Sequence, residues 1–353
     1  MGVLYVVSRQ AREGTTALCA GLAHLLRHQG QQPALFKPIV VDDPGTAPDG
    51  DAQFFAQLDG RAPPQGWPFP VSRQEGREGL SAAMRSQVLA AFGEVAGDVG
   101  EVIVEGPAAT SPQGEPQAAC GDLAELLQAE VVVNVRWTPA LTAEEALRLA
   151  ERFPGRLRGF VINRVPRYRR HGAQTELVTA LGQRGVPVLG VLPEERCLLA
   201  VTVGHLARHL GGTFLSGEEG AGELVEHVVM GGWVLDWGVE YFQQYQNKAV
   251  IVRADRPDIQ MAALRTPTRC LVLTGGQRPV QYVEHEAREE GVPMVLVPTD
   301  TLTTARALET LFQQATVHHP AKAECAGRLL AQAVDWRALF PLAVGAPEAS
   351  PSS

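Results

Sequence analysis

Short runs of Val, Ile, Leu and Ala alternate with longer amphipathic stretches from the first residues onward. Residues 3–7 read as a buried strand, 16–27 as a helix and 34–40 as a second strand. The stretch 81–96 predicts a helix and 101–105 a strand. A helix at 123–128, a strand at 131–135 and a helix at 143–153 follow. Strand 159–163, helix 175–183 and strand 188–191 continue the rhythm. Continuous aliphatic runs are the mark of strands covered on both faces, hence of a mostly parallel sheet flanked by helices. The cadence is that of a doubly wound α/β fold.

Gly, Ser and Glu dominate at Gly211, Gly212 and 216–222, which is where a domain boundary is expected. A shorter βα series begins beyond it, with strands at 225–230, 249–252, 270–273 and 294–297. Helices are expected at 239–245, 258–264, 280–290 and 303–313. Pro257 suits a helix's first turn and Asp255 a helix cap. The expected organisation is a first domain over 1–215, a second over 222–335, and a disordered Pro/Ser-rich tail at 340–353.

A net charge of −8 argues against nucleic acid as a partner, because phosphate backbones reward a basic face. No apolar stretch approaches the roughly 18 residues of a membrane-spanning helix, so no membrane partner is expected. The start MGVLYVVSRQ does not read as a signal peptide, and a cytoplasmic setting is expected. The five cysteines form no C-x-x-C pair and the nine histidines no metal-ligand spacing, so a zinc site is not indicated. His318 and His319 sit in a Pro-flanked stretch and read as surface.

The segment after the first strand carries the chemistry. Phosphate-binding loops set a Gly-rich turn between a strand and a helix, so that backbone N–H groups face an anion. Here Ser8-Arg9-Gln10-Ala11-Arg12-Glu13-Gly14-Thr15-Thr16 occupies that place. Gly14 and Thr16 stand where the second Gly and the Ser/Thr of G-x-x-x-x-G-K-[ST] belong. Thr15 stands where the lysine should be, and the first glycine is missing. A charge-assisted hydrogen bond contributes roughly 1.5–3 kcal/mol, so the loss weakens any phosphate site by about one to two decades. Arg9 or Arg12 is a candidate for returning the charge. Read more plainly, the segment is a strand–turn–helix connection capped by Thr15 or Thr16.

Several segments stand in a telling order: this loop, then Phe36-Lys37-Pro38-Ile39, Val104-Glu105-Gly106-Pro107, the run from Gly159 through Asn163-Arg164-Val165, and Val188 to Glu194. Over roughly residues 1–215 the chain resembles the dethiobiotin synthetase family, and more closely the synthetase-like domain at the N-terminus of long bacterial phosphotransacetylases. The resemblance implies a P-loop-type, mostly parallel sheet flanked by helices. It also implies a nucleotide site formed by Arg12, Gly14, Thr15, Thr16, Lys37, Glu105 and Asn163. Thr16 and Glu105 would stand beside a metal, Lys37 near substrate and phosphates, and Asn163 near an adenine. ATP with magnesium is the cofactor so implied, and Asp49 or Asp51 is a further acidic neighbour. Plain readings remain open: a solvated Lys37, a turn-capping Glu105, a turn-forming Asn163.

Residues 222–315 resemble the DRTGG module, a smaller α/β unit. The matching segments are Ala254-Asp255-Arg256-Pro257-Asp258-Ile259, Leu273-Thr274-Gly275-Gly276 and Thr299-Asp300-Thr301. Asp255, Arg256, Thr274, Gly275 and Gly276 are therefore candidates for ligand binding, or for a helix cap, an ion pair and a tight turn. In phosphotransacetylases an acetyltransferase domain follows these two modules. No such domain is expected here, so acetyl transfer is not assigned.

Three functions fit. The first is a stand-alone regulatory or sensing protein that binds a nucleotide or small anionic metabolite without efficient turnover. The second is an ATP-dependent synthetase of the dethiobiotin type. The third is an interaction scaffold acting in trans on an acyl-transfer enzyme. The balance leans away from an enzyme, no catalytic residue is assigned, and self-association into a homo-oligomer is expected.

Overall fold

The structure is a computed structural model that describes residues 1–41, 49–64, 66–111, 113–169, 177–232, 238–308 and 310–340. Of the tail expected at 340–353, residues 341–353 lie outside them, as do the first residues of the helix expected at 175–183; Phe340 is instead buried in the first unit's core.

The chain forms two compact units, one of Met1–Glu194 with Val317–Ser353, the other of Glu195–Thr316. The first is built on β1 (Gly2–Ser8), α1 (Thr15–His28), β2 (Ala34–Phe36), β3 (Ile39–Val41), α2 (Gly50–Asp59), β4 (Phe69–Val71), α3 (Arg73–Glu78) and α4 (Ala82–Ala96). It continues through β5 (Glu101–Glu105), α5 (Ala118–Leu126), β6 (Glu130–Arg136), α6 (Ala143–Ala150), β7 (Leu157–Val165) and β8 (Val188–Pro193). Its main sheet has the order β2-β5-β1-β6-β7-β8, and every pairing is parallel. Leu4 to Val7, Val102 to Val104 and Val131 to Val133 are fully buried, as strands covered on both faces require.

The expected strand at 34–40 breaks at Lys37-Pro38. Proline lacks the N–H a ladder needs, so β2 stays beside β5 while β3 leaves to pair with β4. Lys37 is thereby released at the C-terminal edge of the sheet. Helix α2 was not expected; Asp49 caps it by accepting from Asp51 N at 2.7 Å.

The first unit is completed by a helix at Pro320–Ala333, although the second domain was expected to extend to 335. Pro320 stands at the helix's first turn, and Nδ1 of His319 accepts from Ala321 N at 3.2 Å. Its Ala323, Ala326 and Leu330 are buried. It lies so close to α1 that a Cβ on Gly21 would come within 2.7 Å of Ala326 Cβ. Burial of this small-residue face is what draws the segment back to the first unit.

The second unit has a two-stranded antiparallel sheet of β9 (Val201–Thr202) and β11 (Leu224–Val225) and a larger sheet of order β10-β15-β14-β13-β12. Its strands are β12 (His227–Gly231), β13 (Lys248–Arg253), β14 (Thr268–Thr274) and β15 (Met294–Leu296), mutually parallel, with β10 (Thr213–Ser216) antiparallel on the β15 edge. Aliphatic clusters fill both faces: Ile251 and Val272 on one, Val250 and Leu271 on the other. Pro257 begins the helix Pro257–Leu264 as expected, but Asp255 does not cap it. Arg256 holds that position without a side-chain cap, while Asp255 binds Arg253. Among the described residues no helix is long and apolar enough to cross a membrane.

The helix contact makes one substitution act with opposite signs at two glycines. Gly93→Ala, in α4 with open space around it, should stabilise by about 0.5–1 kcal/mol through helix propensity. Gly21→Ala should instead destabilise by about 1 kcal/mol or more, because overpacking against Ala326 outweighs that gain. Urea denaturation of the two variants checks this; equal shifts would mean that the helices are not in close contact.

Candidate functional site

The C-terminal edge of the parallel sheet gathers the candidate residues, as open α/β sheets do with their ligands. Ser8 ends β1 and leads into a loop with two left-handed residues, Arg12 at φ 63° and Gly14 at φ 94°. Gly14 is the N-cap of α1, and neither Thr15 nor Thr16 caps the helix: its N-terminus has no side-chain cap and no acidic residue in the first turn. The first N–H groups of a helix have no intrahelical partner, and the helix dipole adds partial positive charge there. Together they suit an anion.

Two buried carboxamides fix the loop. Asn134 of β6 and Asn163 of β7 each donate Nδ2 to the carbonyl of Glu13 at 3.0 Å. A Cβ at residue 14 would meet Asn163 Nδ2 at 2.8 Å, so glycine is required there for contact as well as for φ. Asn163, expected near an adenine, thus has its amide nitrogen on the loop, and its Oδ1 accepts from Arg164 N at 2.8 Å. Asn134 was not anticipated. Its signal is a lone carboxamide inside the apolar run Val131-Val132-Val133-Asn134-Val135.

Arg9 does not replace the missing lysine. Its Nε meets Glu13 Oε1 at 3.2 Å, and its guanidinium meets Glu145 of α6 at 2.7 Å. The Glu13 carboxylate also accepts from Arg9 N at 3.1 Å. Burial raises the Glu13 carboxyl above its usual range against the pull of Arg9. The first half of the loop is therefore closed by its own ion pairs. Arg12 is exposed.

Lys37 is the hub of the opposite wall. Its Nζ lies 2.8 Å from Asp49, 2.5 Å from Asp51 and 3.6 Å from Glu105. Burial disfavours its charge, but those carboxylates outweigh burial and hold the ammonium well above the ordinary lysine range. Lys37 is thus a clamped cation and not a solvated strand end. Thr16 Oγ1 donates to Glu105 Oε1 at 2.9 Å. Burial, with Asp51 nearby, pushes the Glu105 carboxyl up to about 8 despite Lys37. Asp51 is held at about 2: burial opposes its charge, and hydrogen bonds from His318 and Lys37 prevail. His318, expected as surface, brings Nε2 to 2.7 Å from Asp51 Oδ1.

Thr16 and Glu105, the expected metal neighbours, are in direct contact. Glu105 Oε2 is buried and has no hydrogen-bond partner, a leftover acceptor that a hard cation would satisfy. Among the described residues no group of three or more His, Cys, Asp or Glu closes around a metal. The residues fit magnesium that keeps its waters and rides on a ligand's phosphates, rather than a protein cage.

In the second unit, Thr274 ends β14, and Gly275 and Gly276 turn the chain at φ 91° and 69°. Their N–H groups bind Thr299 O and Val297 O, while Thr274 Oγ1 lies 2.8 Å from Thr301 Oγ1. A Cβ on Gly275 would meet only open space, so its left-handed φ is what calls for glycine. Asp255 and Arg256 do not pair with each other: Arg253 forks onto Asp255 and Arg256 onto Asp258, on the exposed surface. These pairs and the turn lie at the C-terminal ends of neighbouring strands β13 and β14.

Glu105 supplies a pH test. Its pKa is higher folded than unfolded, so the folded state binds the extra proton between about pH 4.5 and 8, and stability falls as pH rises through that window. Glu105→Gln removes the effect. Its stability relative to wild type, measured in chelator, should rise from pH 5 to pH 8.5, by at most about 5 kcal/mol at 1.36 kcal/mol per pKa unit. A pH-independent difference would show that Glu105 has an ordinary pKa.

Comparison with known proteins supplies the family. A model of the AAA domain family AAA_26 matches residues 3–202, and the DRTGG domain model matches residues 205–311. The phosphate acetyltransferase of Escherichia coli K12 is 21% identical over 344 residues, covering 87% of this chain and 48% of that protein. The Pseudomonas putida enzyme is 23% identical over 349 residues, covering 92% and 49%. The chain thus spans about half the length of these relatives. Among solved structures, the Elizabethkingia anophelis signal recognition particle receptor FtsY with GDP is 15% identical, covers 54% of this chain and 56% of that one, and has a TM-score of 0.38. The CBS and DRTGG regulatory region of Clostridium perfringens pyrophosphatase, complexed with diadenosine tetraphosphate, is 18% identical, covers 40% and 69%, and has a TM-score of 0.29. With more than half of its residues under the first model, the chain belongs to the AAA domain family AAA_26 and carries a DRTGG domain in its second unit.

Proposed function

We propose that the chain is a regulatory nucleotide-binding protein that takes a magnesium nucleotide, or a comparable small anion, at the N-terminus of α1 and does not turn it over efficiently. The observation that carries this reading is the uncapped helix N-terminus behind a loop held by Asn134 and Asn163, with Thr16 and Glu105 in contact beside it. Of the two, a magnesium nucleotide accounts for more of the site, because Thr16, Glu105 and Lys37 stand together where magnesium and phosphates would be met. Turnover is poor because Thr15 supplies no charge for phosphoryl transfer.

The electrostatics favour the metal-bound ligand. With Glu105 holding its proton below about pH 8, the two cations Arg9 and Lys37 still face four carboxylates: Glu13, Glu145, Asp49 and Asp51. A polyanion entering alone would be repelled, whereas magnesium brings two positive charges with it. The kinship with dethiobiotin synthetases and phosphotransacetylases belongs to the same reading, with an acyl-transfer enzyme as the partner in trans and the cytoplasm as the setting. An ATP-dependent synthetase is the second reading, favoured by the retained trio Thr16, Lys37 and Glu105.

Calorimetric titration of ATP, with and without magnesium, into wild type and Thr15→Lys separates the readings. Wild type should bind weakly and only with magnesium. Thr15→Lys should bind about 10- to 100-fold more tightly, the value of one charge-assisted hydrogen bond. Robust magnesium-dependent ADP release by wild type would move the synthetase to the front, and no binding by either protein would remove the nucleotide.

A further inference from the structure

We infer that His318 is a positioning residue of the α1 crevice: from the segment that completes the first unit, it holds Asp51 in the geometry that keeps Lys37 clamped beside Glu105. The inference rests on the nucleotide reading above and adds a residue that neither family match includes, since the two models end at residues 202 and 311.

Four observations carry it. His318 Nε2 lies 2.7 Å from Asp51 Oδ1 while Lys37 Nζ takes Asp51 Oδ2, so the carboxylate is gripped at both oxygens. Each grip fixes the other, and a carboxylate held at both ends has no freedom to rotate away from the lysine. The imidazole also packs against the ring of Phe54 at 5.6 Å between centroids. Next, the start of α2 is shaped for it: a Cβ on Gly50 would fall 2.7 Å from His318 Cε1. Glycine at that position admits the ring. Lastly, the histidine is anchored by its neighbours. Val317 packs on the first unit's core, and His319 caps the helix whose small residues press on α1.

The neighbouring Asp49 explains how the effect spreads. Its Oδ1 accepts from the amides of Asp51 and Ala52, while its Oδ2 binds Lys37. Freeing Asp51 therefore loosens the first turn of α2 as well as the lysine. The crevice is complete only when residues 317–320 are in place, although some 150 residues of sequence separate them from the rest of it.

The test uses the full chain and two readouts. His318→Phe keeps a ring over Gly50 and against Phe54 but cannot donate to Asp51. His318→Gln retains a donor. His318→Phe should weaken ATP–magnesium binding about tenfold, the value of one hydrogen bond to a charged partner, and His318→Gln should recover much of the loss. In ligand-free protein, His318→Phe should speed hydrogen exchange at the Asp51 and Ala52 amides several-fold, leaving β1 and β6 unchanged. If wild type binds no ATP–magnesium, the nucleotide reading fails, and the exchange measurement still decides the role of His318. Unchanged exchange at Asp51 and Ala52 overturns the inference, as does unchanged affinity in a wild type that binds. Should His318→Phe not fold, His318→Gln against His318→Ala carries the same comparison.

Discussion

A single buried ammonium organises the crevice. Burying an unpaired charge costs several kcal/mol, and Lys37 avoids that cost only by drawing in Asp49, Asp51 and Glu105. Those carboxylates belong to the start of α2 and the end of β5, so one cation ties a helix to the central sheet. The dependence is mutual, since three carboxylates this close would repel one another without it. Pro38 is part of the same arrangement. By ending the β2 ladder it turns the chain out of the sheet right after the lysine.

The phosphate loop shows a division of labour within nine residues. Its first half is sealed by charge: Arg9 pairs with both Glu13 and Glu145 and binds the loop to α6. Its second half is left open, with left-handed Gly14 as cap and free helix N–H groups. The two asparagines set the junction by holding the Glu13 carbonyl from adjacent strands. Loss of the usual lysine thus leaves the cradle standing, because backbone geometry and carboxamides support it.

Much of this was legible in the sequence. Aliphatic runs located β1, β5, β6 and β7 because a strand buried on both faces keeps its middle almost wholly aliphatic, with polar residues mainly towards its ends. The loop was legible as a glycine-bearing turn between a strand and a helix, whereas Lys37 and Glu105 were singled out by the resemblance; both lie at strand ends on the one edge of the sheet. What escaped notice had weaker local signals. The helix Pro320–Ala333 opens with His-Pro, and its buried face is mostly Ala, Cys and Gly with Leu330, small residues that form no aliphatic run. Its docking site on α1 is Gly21 with His24, a relation between distant segments that no local period expresses. His318 was missed with it. Asp255 and Arg256 were singled out by the resemblance to the DRTGG module; of the plain alternatives the cap did not form, because forks at spacing two, onto Arg253 and Asp258, were as available.

The return of the helix Pro320–Ala333 to α1 has a consequence for how the protein is made. A chain synthesised from its N-terminus exposes α1 early, yet the face of α1 that bears Gly21 and His24 finds its cover only about 300 residues later. Closing a loop tenfold longer than an ordinary 30-residue one adds roughly 2 kcal/mol of entropic cost. Folding of the rest of the first unit, together with the intervening second unit, removes most of that cost by collapsing the loop. The first unit therefore stays unfinished on the ribosome until the second has emerged, and its uncovered helix is the surface that a chaperone would meet.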